Sequence, residues 1–302
     1  MRIPESSLLR DSYWFPYKEA AMDRFTAPSF FLPDESPDSL WHLFCHSALG
    51  VVHHKSTSGL AWGKGDLVQP AGRFPSLAKD GNTYHMVFIR EGRNGSSVFL
   101  SSSMNLVSWS RPIELLSAAS TPLSVWRGSR PSLYCPQLVI MKGRCRLYAG
   151  AGTARFSGVR LPVRFIAAES PYIDGPYEVE KEPLFSPQPG SDPPVLASGP
   201  VRILPCQDGL AALEAAVCYS EKEDRVYSSL FLRFSKDGLG WEKGGTVLES
   251  RRAGWASGLI TGAEARWKEN ERTWYCYYSV RSRVPGLDSM GLVLGQRTRV
   301  VP

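Results

Sequence analysis

Cys135-Pro136-Gln137-Leu138-Val139 is the stretch on which the fold turns, because its pattern of a residue, a proline and a short apolar strand recurs along the chain. It returns as Ala27-Pro28-Ser29-Phe30-Phe31, Phe74-Pro75-Ser76-Leu77 and Gly199-Pro200-Val201-Arg202-Ile203. A fifth copy, Ala263-Glu264-Ala265-Arg266-Trp267, lacks the proline. The second residues of the copies stand 47, 61, 64 and 64 positions apart. Each copy is followed by a turn and an aromatic second strand: Leu40–Cys45, Tyr84–Phe88, Arg146–Ala149, Ala215–Tyr219 and Trp274–Tyr278. Three units then carry a Ser-rich turn ending in Trp62, Trp109 or Trp241, where the third unit has Asp174-Gly175-Pro176-Tyr177. The position of Trp62 and Trp241 marks them as blade-packing residues.

Self-similarity at a fixed period is the mark of a repeat architecture, in which no single unit can bury its own apolar face. Five units of about four strands each, roughly 55 residues long, are what a propeller needs. The expectation is an all-β chain forming a single five-bladed β-propeller, with blades at roughly 24–70, 71–125, 126–190, 191–253 and 254–302. After the second strand of unit five only Met290–Leu294 and Val300-Val301 remain to complete that blade. The segment 1–23 therefore either closes the ring, through Tyr13-Trp14-Phe15-Pro16, or packs across one face.

Composition agrees. In 302 residues, 43% hydrophobic and 21% charged, the 27 Gly, 23 Pro, 9 Trp, 12 Tyr and 13 Phe suit turns and aromatic strands. No apolar run nears the roughly 18 residues that span a bilayer, so no membrane partner is expected. The net charge of +6 is spread along the chain with no basic stripe, which argues against nucleic acid. Met1 to Asp11 lacks a secretory apolar core, and the six cysteines include no CxxC pair. Free buried thiols and a cytoplasmic location follow as expectations. Neither a Walker loop nor a dinucleotide fingerprint is present, and His53-His54 lacks a spaced carboxylate, so no cofactor or metal is expected.

The stretch from Ser132 through Gly150 resembles the blade of glycoside hydrolase family 43: an aromatic residue, x-Pro, a strand, a Gly turn and Leu-Tyr. Ala168–Tyr177 is similar to that family's turn before an outer strand, and Gly262–Ser279 resembles the blade carrying its general-acid glutamate. The rhythm over roughly 24–300 is shared with the arabinanase-like and invertase-like propellers. The resemblance implies cleavage of a glycosidic bond in a small glycan or glycoconjugate. The sequence departs from the family's acidic motifs: Asp23 lies five residues ahead of Pro28, Phe74-Pro75 has no acid before it, and Ser198-Gly199-Pro200 has none either.

Glycoside hydrolysis needs two carboxyl groups flanking the bond, one protonated and one ionised. If the inner strands place their starts on one rim, the candidates are Glu264 as acid and Asp23 as base, across the closure between units five and one, with Glu91 as substitute. The apolar neighbours Ala263, Ala265 and Trp267 would desolvate Glu264 and favour its protonated form. Substrate contacts are expected from Arg24, His46, Arg73, Arg90, Arg130, Tyr134 and Arg281. So many forked donors suit an acidic or phosphorylated sugar. Two other readings stay open: a non-hydrolytic carbohydrate-binding propeller, and a glycosyl-transferring enzyme acting on an anionic sugar.

Overall fold

A computed structural model describes residues 4–17, 21–141, 143–250, 258–281 and 288–297. After a single helical turn α1 (Ser7–Arg10), the chain is built of strands. β1 (Ser12–Pro16) and β2 (Met22–Asp23) lead into blade one: β3 (Thr26–Phe31), β4 (Trp41–His46), β5 (Gly50–Ser56) and β6 (Asp66–Pro70). Blade two is β7 (Arg73–Asp80), β8 (Thr83–Gly92), β9 (Gly95–Ser103) and β10 (Ile113–Ser117). Blade three is β11 (Leu133–Met141), β12 (Arg144–Phe156), β13 (Val159–Ser170) and β14 (Glu178–Val179). Blade four has a broken inner strand, β15 (Val195–Ala197) and β16 (Val201–Cys206), then β17 (Gly209–Ser220), β18 (Arg225–Ser235) and β19 (Glu242–Glu249). Blade five is β20 (Leu259–Lys268), β21 (Thr273–Arg281) and β22 (Asp288–Arg297).

Each blade is an antiparallel sheet, and the inner strands β3, β7, β11, β16 and β20 touch one another in a closed ring around a channel. This is the five-bladed propeller anticipated from the repeat. β1 hydrogen-bonds to β22 from Ser12 opposite Arg297 to Pro16 opposite Val293, so the N-terminal strand is the outer strand of the last blade. Of the two placements considered for segment 1–23, its Tyr13–Pro16 part thus takes the ring-closing one. Gly295 is required there, because a Cβ would sit 2.8 Å from the Trp14 ring. Leu9 is fully buried between blades four and five, and Trp274 Nε1 donates to Leu8 O at 3.2 Å. Val300-Val301, expected to help complete blade five, lie outside the described residues.

The repeated prolines have a physical reason. Proline has no N–H to give a ladder and is confined to edge strands and bulges. The inner strands are edges, and the pairing slips at Thr26/Ser29, Arg73/Ser76 and Tyr134/Gln137. In the four proline-bearing blades the preceding residue takes a left-handed φ: Ala27 at 51°, Phe74 at 54°, Cys135 at 44° and Gly199 at 69°. Blade five slips between Ile260 and Gly262 without a proline. Aligned on that slip, Thr261 occupies the proline's place and Glu264 lies three residues further in.

Among the described residues neighbouring blades share no strand ladder, and side chains help to join them. Ser279 Oγ accepts from Ala27 N at 3.0 Å, Ser29 Oγ from Leu77 N at 3.0 Å, Ser96 Oγ from Leu133 N at 2.6 Å and Ser228 Oγ from Ile260 N at 3.1 Å. Blades three and four use Gln137, whose amide donates to Ile203 O at 2.7 Å and accepts from Ile203 N at 2.6 Å. Every one of these backbone groups would otherwise be buried without a partner. The turn tryptophans act between blades too: Trp62 meets Tyr277 of blade five, Trp109 meets Phe44 of blade one, and Trp241 meets Phe185 beyond blade three. All six cysteines are buried and none forms a disulfide.

Candidate functional site

The channel opens at both ends. The end where the inner strands begin, the upper mouth, is a cavity of about 120 Å³. Its lining includes His46, Arg73, Glu91, Tyr134, Arg160 and Arg281. Four blades contribute: β4, β7, β8, β11, β13 and β21 all reach it. The ring of Phe74 lies 4.0 Å from that of Tyr134 and 5.0 Å from that of His46, forming one wall. Burial lowers the His46 pKa to about 4, with the charges of Arg73 and Arg281 adding to the effect, so the imidazole is neutral at pH 7. Burial pushes the Tyr134 phenol well up. Arg281 is held by Asp288 through two hydrogen bonds of 2.8 and 2.7 Å. Among the described lining residues Glu91 is the one carboxylate. With Arg73 and Arg160 beside it, the mouth is cationic.

Five of the residues expected at this rim from the sequence are gathered here: His46, Arg73, Glu91, Tyr134 and Arg281. Five are not. Arg90 turns away, because successive strand residues face opposite sides and Glu91 takes the mouth. The Arg90 guanidinium lies over the rings of Phe88 and Phe99 and lines the groove between blades one and two. Arg130 is exposed and donates to Gly92 O at the edge of blades two and three. Arg24 is exposed with φ 69°, and its backbone N–H donates to Asp288 O at 2.6 Å. Asp23 is exposed on β2, outside blade five, where it accepts a 2.7 Å hydrogen bond from Ser289 Oγ.

Glu264 departs furthest from its expected place. It lines the opposite, lower mouth, a cavity of about 230 Å³ that also includes Glu35, Lys79, Gln137, Arg266 and Trp267. Nor is its setting the apolar one expected from Ala263, Ala265 and Trp267. Arg266 Nη2 donates to Glu264 Oε1 at 3.2 Å, and Arg202 Nε lies 3.5 Å from Oε2. The two carboxylates expected to face each other, Glu264 and Asp23, therefore do not share a mouth.

Between the mouths the channel is filled. Arg202, from β16 and 4% exposed, donates to Pro136 O at 2.8 Å and to Pro75 O at 2.9 Å while approaching Glu264. One side chain of blade four thereby joins blades two, three and five. Just above it Cys135 Sγ reaches Thr261 O at 3.8 Å, and burial pushes that thiol up to about 12.

Three residues now seen at the sites escaped the sequence reading. Arg160 reaches the upper mouth on the overlong β12–β13 hairpin, whose Ser157 and Gly158 both have positive φ. Its signal was a Ser-Gly turn inside an otherwise continuous strand run. Arg202 and Glu35 gave no such signal, one inside an inner strand and the other in the β3–β4 loop. Among the described residues no cluster could hold a metal ion, and no helix is long and apolar enough to cross a membrane.

No family model matches the sequence, and no curated protein matches it. Solved structures do match in fold. A family 117 glycoside hydrolase from the marine bacterium Zobellia galactanivorans is 13% identical over 97% of this chain and 93% of its own, with a TM-score of 0.59. A thermostable family-43 glycoside hydrolase is 14% identical over 92% and 91%, with a TM-score of 0.62. An exo-1,5-α-L-arabinanase from a bovine ruminal metagenomic library is 13% identical over 92% and 94%, with a TM-score of 0.61. The chain shares the five-bladed propeller of these hydrolases along nearly its whole length.

Proposed function

We propose that the protein recognises an anionic sugar, free or within a small glycoconjugate, at the upper mouth. The observation that carries this reading is the set of three arginines, Arg73, Arg160 and Arg281, converging with one lining carboxylate on a cavity that also holds a neutral imidazole and two aromatic rings in tilted contact. Forked guanidinium donors match carboxylate and phosphate groups, and Phe74 with Tyr134 offers an apolar face to a sugar ring. Recognition in this reading does not depend on a carboxylate pair.

The test compares galacturonic acid with galactose, which differ in the charged group alone, by NMR titration. Galacturonic acid is expected to bind at least about tenfold more tightly, to weaken as salt screens the arginines, and to lose its advantage in Arg73→Ala. Equal binding of the two sugars, or none by either, overturns the reading.

A second reading, glycosidase action, is supported by Glu91 facing the mouth beside Arg73 and by the glycoside hydrolases that share the fold. Glu91 would then donate the proton to the leaving oxygen, and the partner that activates water would come from the substrate's own acid group. Release of 4-nitrophenol from nitrophenyl glycuronides, lost in Glu91→Gln, is the outcome that favours hydrolysis over binding.

A further inference from the structure

The groove between blades one and two shares no lining residue with either mouth. At about 840 Å³ it falls within the roughly 300–1,000 Å³ of small-ligand sites. Lys55, Lys64, Arg90 and Arg111 line it, and among the described lining residues Asp66 is the one carboxylate. Lys55 is already engaged, since its Nζ donates to Asp38 Oδ2 at 2.8 Å. Lys64 and Arg111 are exposed, and neither enters an ion pair among the described residues. Half-buried Arg90 donates from Nη2 only to the Gln69 amide oxygen, at 3.4 Å. Set against Asp66, these three cations leave two positive charges unbalanced. Leu67 and Val107, 47% and 56% exposed, add an apolar wall.

His53, on β5, adds a hydrogen-bond acceptor to the same lining. A chain of hydrogen bonds leads to it: Asp38 Oδ1 lies 2.7 Å from His42 Nε2, and His42 Nδ1 lies 2.8 Å from His53 Nε2. Against the cost of burial, hydrogen bonds from Lys55 and His42 hold the Asp38 carboxyl well below the usual carboxylate range, so it is ionised. Burial lowers the pKa of both imidazoles, that of His53 to about 3, so both are neutral at pH 7. An anion at one end then places every proton. His42 donates from Nε2 and accepts at Nδ1; His53 donates from Nε2 and keeps a lone pair on Nδ1. Phe44, stacked on the His53 ring at 4.2 Å, fixes its orientation. That Nδ1 has no donor among the described residues and is not sealed from solvent.

We infer that this groove is a second ligand site, which takes a phosphorylated sugar or polyol with its phosphate on Lys64, Arg90 and Arg111, a hydroxyl on His53 Nδ1 and its carbon face toward Leu67 and Val107. A phosphate monoester has about two negative charges at pH 7, which matches the unbalanced charge, and its oxygens suit guanidinium forks. A carboxylate has one. The His53 lone pair selects a ligand that can donate, which a hydroxyl does.

The experiment is NMR titration of the isotope-labelled full chain with glucose 6-phosphate, glucose and inorganic phosphate, each alone, at pH 7. All titrations are made in Arg73→Ala, which silences the upper mouth, so this result and the galacturonic acid result fail separately. Glucose 6-phosphate is expected to saturate, at least about tenfold more tightly than glucose or inorganic phosphate. Adding Lys64→Glu and Arg111→Glu reverses two exposed charges and is expected to weaken that binding about tenfold or more with the thermal transition kept. Val107→Glu, which sets one carboxylate on the same lining, serves if the charge-reversed protein does not fold. Three results overturn the inference: no saturable binding of glucose 6-phosphate, equal binding of inorganic phosphate, or binding that survives these substitutions.

Discussion

Arg202→Met removes the side chain that fills the middle of the channel while keeping most of its volume. The guanidinium makes two hydrogen bonds to carbonyls, Pro136 O at 2.8 Å and Pro75 O at 2.9 Å, and one ion contact of 3.5 Å to Glu264. A hydrogen bond from a charged donor contributes about 1.5–3 kcal/mol, and removing one member of a buried ion pair costs about 3–5 kcal/mol. These terms overlap, since both include the penalty of leaving buried groups unpaired, so the expected loss is about 4 kcal/mol. At roughly 2 °C per kcal/mol for a chain of this size, the thermal midpoint should fall by about 8 °C. Differential scanning calorimetry at pH 7 measures it. The double variant Arg202→Met/Glu264→Gln removes the orphaned charge and should recover about 2 kcal/mol of the loss. The reasoning fails if the single variant melts within about 2 °C of the parent, or if the double variant is no more stable than the single.

Acidification should destabilise the fold before its carboxylates titrate. Burial holds His46 near a pKa of about 4 and His53 near about 3, both below the ordinary 6.5. Between those values the unfolded chain binds more protons, so the stability is complete above pH 6.5 and is lost as pH falls; about 1–2 kcal/mol per histidine should go by pH 5. Urea midpoints at pH 7 and pH 5 test this, and equal midpoints would contradict it. Leu9→Ala, which empties a fully buried position between blades four and five, should cost about 3 kcal/mol by urea denaturation; a loss below about 1 kcal/mol would mean the N-terminal latch contributes little to ring closure. Gly199→Ala places a Cβ 1.9 Å from Ala215 O at φ 69° and should cost about 3 kcal/mol or more, read as poor soluble yield or a depressed melting midpoint. A normal melting curve for that variant would mean that β15 and β16 can be rejoined.

The blades were legible because each repeat carries its own signal. A proline tolerated only at an unpaired edge, a turn and an aromatic strand mark the first two strands of four of the five units without reference to the others. His46, Arg73 and Tyr134 line the upper mouth and lie within two residues of that marker, where an error of register is small. At Arg90 and Glu91 the marker does not suffice, since the side of the strand each faces is set by the pleat. The sequence points both of these consecutive strand residues to the mouth, and the pleat allows one.

Glu264 shows what happens when the marker is missing. Without a proline in unit five, the copy read from the sequence is set three positions too late, with Glu264 in the place that Thr261 takes. Three residues of strand are roughly 10 Å, enough to carry a side chain from one end of the channel to the other. The same distance explains why the channel holds two chambers. Inner strands present unpaired carbonyls to the axis, and a water-filled channel would satisfy them only along its whole length. A guanidinium with five donors satisfies several at one level, and Arg202 does so for Pro75 and Pro136 while its Nε faces Glu264. Once that level is closed, the arginines of the upper mouth and the carboxylates of the lower one no longer share a solvent path. A ligand at either end meets only the residues of that end. The carboxylate pair sought across one rim from the sequence is thereby divided between the lower chamber, which holds Glu264, and the outer face of blade five, which holds Asp23.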